Sequence, residues 1–96
     1  MMKLPVNYRT LDWQERRAVR EQYIKEQDGE CFWCGSSLTG EPNKELLDIP
    51  VDWSLFPGGE EFLKYPVHLQ HDHSTNMTEG AVHALCNALM WNYFRR

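Results

Sequence analysis

The sequence predicts a single small α+β domain with an N-terminal helix, a cysteine turn, a long loop, a β-hairpin and a C-terminal helix. Three observations support this order: a helical stripe of apolar residues near the start, the spacing C-x-x-C at Cys31 and Cys34, and an alternating segment followed by helix formers after residue 65. Domains of 96 residues often need a metal, a disulfide or a partner subunit for stability. We expect residues 1–30 to form the helical N-terminal part and residues 31–96 the rest of the domain.

The composition is that of a soluble globular protein, with 42% hydrophobic and 25% charged residues. No apolar run approaches the roughly 20 residues that span a bilayer, and Met1 to Thr10 lack the apolar centre of a secretion signal. We therefore expect a cytoplasmic protein with no membrane partner. The odd number of cysteines, three, argues against a disulfide framework.

The net charge of −4 is a mild argument against a nucleic-acid partner, because domains that bind nucleic acids are usually basic. The acid excess is confined to residues 28–65, however, whereas residues 1–27 are weakly basic and residues 66–96 are balanced. Net charge alone therefore does not decide the class of partner.

The first helix is predicted from its cap and its apolar stripe. Thr10 and Asp12 are both candidate N-caps, and the helix should end near Gln27 with Gly29 as its stop signal. The residues expected on the apolar side are Leu11, Trp13, Val19, Tyr23 and Ile24.

Three arginines, Arg16, Arg17 and Arg20, lie off this stripe. They form either an ordinary solvated helix face or a face that contacts phosphates.

Residues 36–66 are rich in glycine, proline and asparagine, and they predict a long ordered loop with at most one turn of helix near Asn43–Asp48. A connection of this length is unusual in a compact domain and usually needs an anchor.

The last third of the chain predicts a β-hairpin and a helix. A strand is expected over Tyr65–His73 with Val67, Leu69 and His71 on one side. A turn over Ser74–Gly80 and a short return strand from Ala81 should follow. The predicted helix covers Ala84–Phe94, and its inward residues are expected to be Leu85, Leu89, Met90 and Tyr93.

A zinc site is predicted from two pairs of ligands. Cys31 and Cys34 have the spacing at which a tight turn points both sulfurs at one ion, and the same spacing pairs Cys86 with His83. The alternative, a redox-active pair at Cys31 and Cys34, would need a βαβ context that the sequence lacks. We therefore expect a structural Zn²⁺ site with three cysteines and one histidine, which would also anchor the long loop.

A second cluster, at residues 71–73, has the composition of a hydrolytic site. On a strand His71 and His73 share one face and Asp72 lies on the other. A histidine that titrates near neutral pH can deprotonate water, and a nearby carboxylate or amide oxygen can hold a hard cation such as Mg²⁺.

The order of these motifs resembles one family. A C-x-x-C pair, then H-D-H at residues 71–73, then a ligand pair ending in Cys86-Asn87 is similar to the endonuclease VII-like branch of the HNH, or ββα-metal, nucleases. That branch has D-H-D-H-x-T-G ahead of C-x-x-C-N. The resemblance covers about residues 31–34 and 67–92, which is under half of the chain.

The resemblance implies a zinc-stabilised ββα-metal domain that hydrolyses phosphodiester bonds in DNA, either duplex or branched. It makes His71 the general base, places His73 near the scissile phosphate, and makes Asn87 a ligand of a catalytic Mg²⁺ or Mn²⁺. Because such nucleases often occur in phages, the location would then be a host cytoplasm. The implied structural zinc ligands are Cys31, Cys34, His83 and Cys86.

The chain departs from the family pattern at three positions. Gln70 stands where the family has an acidic or histidine metal ligand, and Asp72 could compensate only if the strand bulges. His83 replaces a cysteine, and Asn76 replaces a glycine whose backbone conformation asparagine tolerates. A register shifted by two, with Asp72 and His73 as metal ligand and base, is the alternative to His71.

Two other functions remain open. Gln70 and the acidic middle segment favour a non-catalytic zinc module that binds nucleic acid or protein. A hydrolase with a catalytic zinc held by His71, Asp72 and His73 would act on another substrate. The aromatic cluster at 91–94 is expected in the core or in a homodimer contact.

Overall fold

A computed structural model describes residues 3–94. The predicted order of helix, cysteine turn, loop, hairpin and helix is confirmed, and the molecule is a small α+β structure with one two-stranded antiparallel sheet. The helices and strands are α1 (Trp13–Glu26), α2 (Lys44–Leu47), β1 (Val67–His71), β2 (Thr78–His83) and α3 (Ala84–Phe94). Short 3-10 turns cover Tyr8–Thr10, Trp53–Leu55 and Gly59–Leu63. No helix within residues 3–94 is both long and apolar enough to cross a membrane.

Helix α1 has defined signals at both ends. Asp12 is its N-cap: the Glu15 N–H donates to the Asp12 side chain at 2.8 Å, and the Glu15 side chain accepts from the Asp12 N–H at 3.1 Å. At the other end Asp28 and Gly29 both have positive φ, 54° and 75°, and the Gly29 N–H donates to the Ile24 carbonyl at 2.8 Å. Of the two candidate N-caps, Asp12 is therefore the one that caps the helix, and the predicted stop at Gly29 is confirmed.

One residue of the predicted apolar stripe faces outward. Val19 and Tyr23 are buried in the core, whereas Trp13 is 70% exposed. At 100° per residue, Trp13 lies about 120° around the helix from Val19, so it belongs to a different face. The prediction that Trp13 packs inward was wrong.

The hairpin contains a bulge that the sequence pattern did not predict. Pairing runs from Val67 opposite His83 to Gln70 opposite Gly80, and then His71 pairs with Thr78. Glu79 is therefore the extra residue on β2.

Both strands differ in length from their predictions. Strand β2 begins at Thr78, three residues before the predicted Ala81, and β1 is shorter than the predicted Tyr65–His73. The early start of β2 has a tertiary cause, because the N-terminal segment pairs beside it. The Tyr8 N–H donates to the Asn76 carbonyl at 2.8 Å, and the Thr78 N–H donates to the Val6 carbonyl at 2.9 Å.

The long loop contains more helical structure than predicted. Helix α2 is the expected single turn, but the 3-10 turns at Trp53–Leu55 and Gly59–Leu63 were not predicted. The loop is anchored on the end of α3, since the Tyr93 hydroxyl donates to the Pro50 carbonyl and the Asp52 N–H donates to the Asn92 side chain at 3.0 Å. Tyr93 was predicted to face inward and is 50% exposed, because this hydrogen bond holds it at the surface.

The core lies where α1, the cysteine turn, the hairpin and α3 meet. Leu89 and Met90 of α3 are buried as predicted, and Leu85 is half-buried. The main buried cluster consists of Leu11, Val19, Tyr23, Cys31, Leu38, Ala81, Val82, Cys86 and Met90.

Candidate metal centre and adjoining cavity

The structure brings the four predicted zinc ligands together. Cys31 and Cys34 lie in the turn after α1, His83 ends β2 and Cys86 lies in the first turn of α3. One donor atom from each of the four lies within 4.8 Å of the others. All three cysteines are free thiols. This cluster could hold a structural metal ion such as zinc.

The distances within the cluster fit a tetrahedral zinc ion. The His83 Nδ1 atom lies 3.5 Å from the Cys34 Sγ atom and 3.7 Å from the Cys86 Sγ atom. Zn–S bonds of about 2.3 Å and Zn–N bonds of about 2.0 Å separate tetrahedral S and N ligands by about 3.5 Å. The His83 Nε2 atom lies 2.8 Å from the Ser37 carbonyl oxygen, which fixes the proton on Nε2 and leaves the Nδ1 lone pair facing the sulfurs.

Backbone hydrogen bonds hold the cysteine turn against the hairpin. The Gly35 N–H donates to the Cys31 carbonyl at 3.0 Å, and the Phe32 N–H donates to the Ala81 carbonyl of β2 at 3.0 Å. Gly80 makes this approach possible, because a Cβ atom there would lie 2.8 Å from the Phe32 ring.

The pKa values of two of the clustered cysteines shift in opposite directions. A hydrogen bond with the Cys86 thiol lowers the pKa of Cys31 to about 4, and the same hydrogen bond, together with burial, raises the pKa of Cys86. Three thiolates this close repel one another unless a cation lies between them. A divalent metal would satisfy that requirement by replacing the proton on Cys86.

A cavity of about 590 Å³ adjoins the hairpin on the side of α1 and the long loop. Four of the residues predicted for the catalytic site line this cavity, namely Gln70, His71, His73 and Asn87. Asp72 is not among the lining residues; its carboxylate accepts from the Ser74 N–H at 2.8 Å and from the Ser74 hydroxyl at 2.6 Å, within the hairpin turn. The structure therefore places Asp72 in the turn and the other four predicted residues at the cavity.

His71 lies within a row of stacked side chains. The Tyr8 ring stacks on His71 with centroids 4.0 Å apart and planes at 10°, and the Arg16 guanidinium lies 3.9 Å from the centre of the Tyr8 ring. The His73 ring also contacts His71, with centroids 4.5 Å apart, and the Trp91 ring, with centroids 5.0 Å apart. His71 and His73 were predicted to share one face of a strand; β1 ends at His71, but the two rings are in contact.

The surroundings of His71 favour its neutral form. Burial lowers the pKa of His71 below its usual range, and the cationic forms of His73 and Arg16 lower it further. A neutral imidazole is the form that can accept a proton at neutral pH.

The two amides of the predicted cation site use their nitrogen atoms within the protein. The Gln70 Nε2 atom donates to the His71 carbonyl at 2.9 Å and to the Glu79 carboxylate at 3.1 Å. The Asn87 Nδ2 atom lies 3.1 Å from the His68 Nδ1 atom. Their carbonyl oxygens are the ligand type that Mg²⁺ accepts. Both oxygens are neutral, and a carboxylate would bind such a cation more strongly.

Sequence reasoning missed several residues that complete this site. Tyr8 and His68 were not singled out, and Trp91 was assigned to the core or a subunit contact. His68 alternates with Gln70 along β1, and this spacing is the one sequence signal that could have drawn attention to it.

The alternative with a second, catalytic zinc requires a second group of ligands. Within residues 3–94, the cluster of Cys31, Cys34, His83 and Cys86 is the one group of three or more histidine, cysteine or acidic side chains close enough to hold an ion. His71, Asp72 and His73 do not form such a group, since Asp72 is held in the turn.

In comparisons with known proteins, no family model, no curated protein and no solved structure matches the chain. The resemblance to HNH nucleases therefore stays a prediction from the residues themselves.

Proposed function

We propose that this protein is a metal-dependent endonuclease that hydrolyses phosphodiester bonds in DNA. One observation carries the proposal: the cavity brings His71, His73 and Asn87 together with Arg16, Arg17 and Arg20 of α1. A general base, an amide oxygen ligand and several cations are what in-line attack on a phosphodiester requires. This arrangement also favours the phosphate-contacting interpretation of the three arginines.

In the proposed reaction a neutral ring nitrogen of His71 takes a proton from water. The water oxygen forms a bond to phosphorus as the bond to the 3′ oxygen breaks, and this oxygen takes a proton from solvent, so the products carry 5′-phosphate and 3′-hydroxyl ends. The His73 ring lies with its centroid 4.5 Å from that of His71, and in the proposed reaction it contacts the phosphate. A bound Mg²⁺ or Mn²⁺, held by the amide oxygens of Asn87 and Gln70, would neutralise charge on the phosphate and the leaving group.

Supercoiled plasmid provides the direct test. We expect zinc-loaded protein to nick or linearise the plasmid when Mg²⁺ or Mn²⁺ is added and to leave it intact without either ion. Gel electrophoresis separates the three plasmid forms. An intact plasmid with both metals would contradict the proposal.

The pH dependence of cutting should report the pKa of His71. The base acts in its neutral form, so the rate rises as pH rises through the pKa of His71 and then levels off. Because burial and the neighbouring cations lower this pKa, we expect the half-maximal rate below about pH 6.5, the ordinary value for histidine. Cleavage rates measured at saturating Mg²⁺ over a series of pH values on both sides of about 6.5 check this expectation. A half-maximal rate above neutral pH would contradict the assignment of His71 as the base.

The second candidate is a non-catalytic zinc module that binds nucleic acid, and the hydrogen bonds of Gln70 favour it. Gln70 is 1% exposed, and its nitrogen already has two partners, so the amide oxygen is the only group it can offer a cation.

The variant Gln70→Asp distinguishes the two candidates. A carboxylate binds Mg²⁺ more strongly than an amide, so for a nuclease we expect cutting at limiting Mg²⁺ to rise about tenfold, in line with metal-site ligand changes. Without Mg²⁺ the new carboxylate would lie near Glu79 and lower the Tm, and added Mg²⁺ should restore it. Gln70→Asn, which shortens the side chain without adding charge, is the control. If Gln70→Asp neither cuts nor gains Tm with Mg²⁺, the binding-module function is favoured.

A further inference from the structure

Two aromatic rings border the cavity and remain largely open to solvent. Trp13, at the start of α1, is 70% exposed, and Tyr65, just before β1, is 66% exposed. Neither ring is needed to fill the core. Exposed aromatic rings beside a cavity are a common feature of binding sites, because each offers a flat apolar face at a small cost in conformational entropy.

Trp13 shares its helix face with the three arginines. Trp13, Arg16, Arg17 and Arg20 follow the spacing i, i+3, i+4, i+7, which aligns them along one side of α1, and all four line the cavity. Arg16 is held against the Tyr8 ring, and Arg17 makes an exposed ion pair with Glu21 at 3.4 Å. One face of α1 therefore presents an apolar ring and positive charge to the same space.

The long loop supplies a second, mostly apolar wall. It consists of Leu55, Phe56, Pro57, Phe62 and Tyr65. The cavity volume of about 590 Å³ is within the range of small-ligand pockets, about 300–1,000 Å³. Flat apolar faces beside cations, with histidines between them, match the chemistry of a nucleotide: a base that stacks and a phosphate that carries charge.

We propose that the cavity binds unpaired nucleotides of a polynucleotide strand, with bases stacked on Trp13 and Tyr65 and phosphates against Arg17 and Arg20. In a B-form duplex the base faces are covered by their neighbours, so these two rings could contact only edges and backbone. An unpaired strand exposes the base faces to both rings. This inference rests on the proposed function, since it names the form of nucleic acid that reaches His71.

The test compares single-stranded and duplex binding without catalysis. Zinc-loaded protein is titrated, with no Mg²⁺ added, into a fluorescently labelled oligothymidylate of about 12 nucleotides, a length suited to one small domain. A duplex of equal length is titrated in parallel at about 50 mM salt, and anisotropy gives both dissociation constants. We expect the single strand to bind at least about tenfold more tightly, because only the single strand can stack on the rings.

Three variants locate the effect. Trp13→Leu and Tyr65→Leu should each weaken single-strand binding about tenfold and leave duplex binding within about twofold. Both residues are exposed, so these variants should keep the parental circular dichroism spectrum. Phe94→Leu is the matched control, because Phe94 is also exposed, at 62%, and contacts Trp33 outside the cavity; it should change neither dissociation constant.

Equal or tighter binding of the duplex would overturn the inference, as would equal losses on both substrates or an absence of binding to the single strand. These binding outcomes can be told apart from a failure of the proposed nuclease function, which the plasmid-cutting assay measures. Cutting of plasmid without a single-strand preference would refute only this inference, whereas a single-strand preference that depends on Trp13 and Tyr65 would support it even if no substrate is cut.

Discussion

Replacing His71 with alanine should lower the rate of plasmid cutting by about 10²–10⁴-fold, the usual contribution of a general base. The imidazole is removed from its ring contacts with Tyr8 and His73, and alanine has no group that can accept the proton. The half-buried ring contributes little to the core, so the variant should keep its zinc and its circular dichroism spectrum. Cutting rates at saturating Mg²⁺, measured beside zinc content, check both expectations.

Chemical rescue separates a base from a structural residue. Free imidazole added to His71→Ala should restore part of the cutting rate if the missing group only transfers a proton, and it should not accelerate the parent. His73→Ala tests the shifted register, in which Asp72 and His73 are the metal ligand and base. If His73→Ala loses activity to the extent expected for His71 and His71→Ala keeps it, the base is His73 and our assignment is wrong.

The features that sequence could predict are those set by local spacing. Cys31 with Cys34, and His83 with Cys86, each lie three residues apart, and such pairs point at one ion whenever the chain turns tightly between them. The capping box of α1 is equally local, because the cap and its partner lie within one turn. These parts of the fold and of the candidate metal centre needed no knowledge of the tertiary structure.

The parts that sequence could not predict depend on contacts between distant segments. Tyr8 reaches His71 because the N-terminal segment pairs with the hairpin at Asn76 and Thr78, and nothing in the residues around Tyr8 indicates that pairing. The same pairing extends β2 to Thr78.

Trp13 shows a second reason for failure. It fits a loose apolar stripe by residue type, but its angular position puts it with the arginines. The amphipathic pattern could not show that this face of α1 borders a cavity, because the opposite wall comes from a loop about forty residues later.

Cys86→Ala should release the metal and unfold most of the molecule. Cys86 is fully buried in the core, and its three partners lie in the cysteine turn and at the end of β2. Structural zinc contributes about 10–16 kcal/mol of apparent binding free energy in small zinc domains, which is comparable to or larger than the about 5–15 kcal/mol by which whole domains are stable. We therefore expect loss of zinc, loss of the cooperative thermal transition and a reduced helical signal by circular dichroism.

A matched pair of variants at His83 tests whether the metal or the packing is responsible. His83→Ala removes a ligand and should weaken zinc binding, whereas His83→Cys keeps four ligands and should retain zinc and most of the thermal stability. Leu89→Ala, at an equally buried position of α3, should cost about 2–5 kcal/mol yet keep the metal. If metal analysis finds no zinc in the parent, or if His83→Ala holds zinc as tightly as the parent, the four residues do not form a zinc site. Retention of both zinc and the thermal transition by His83→Cys but not by His83→Ala would show that the fold depends on the ligand set. The cysteine and alanine side chains differ little in size but greatly in their ability to bind the ion.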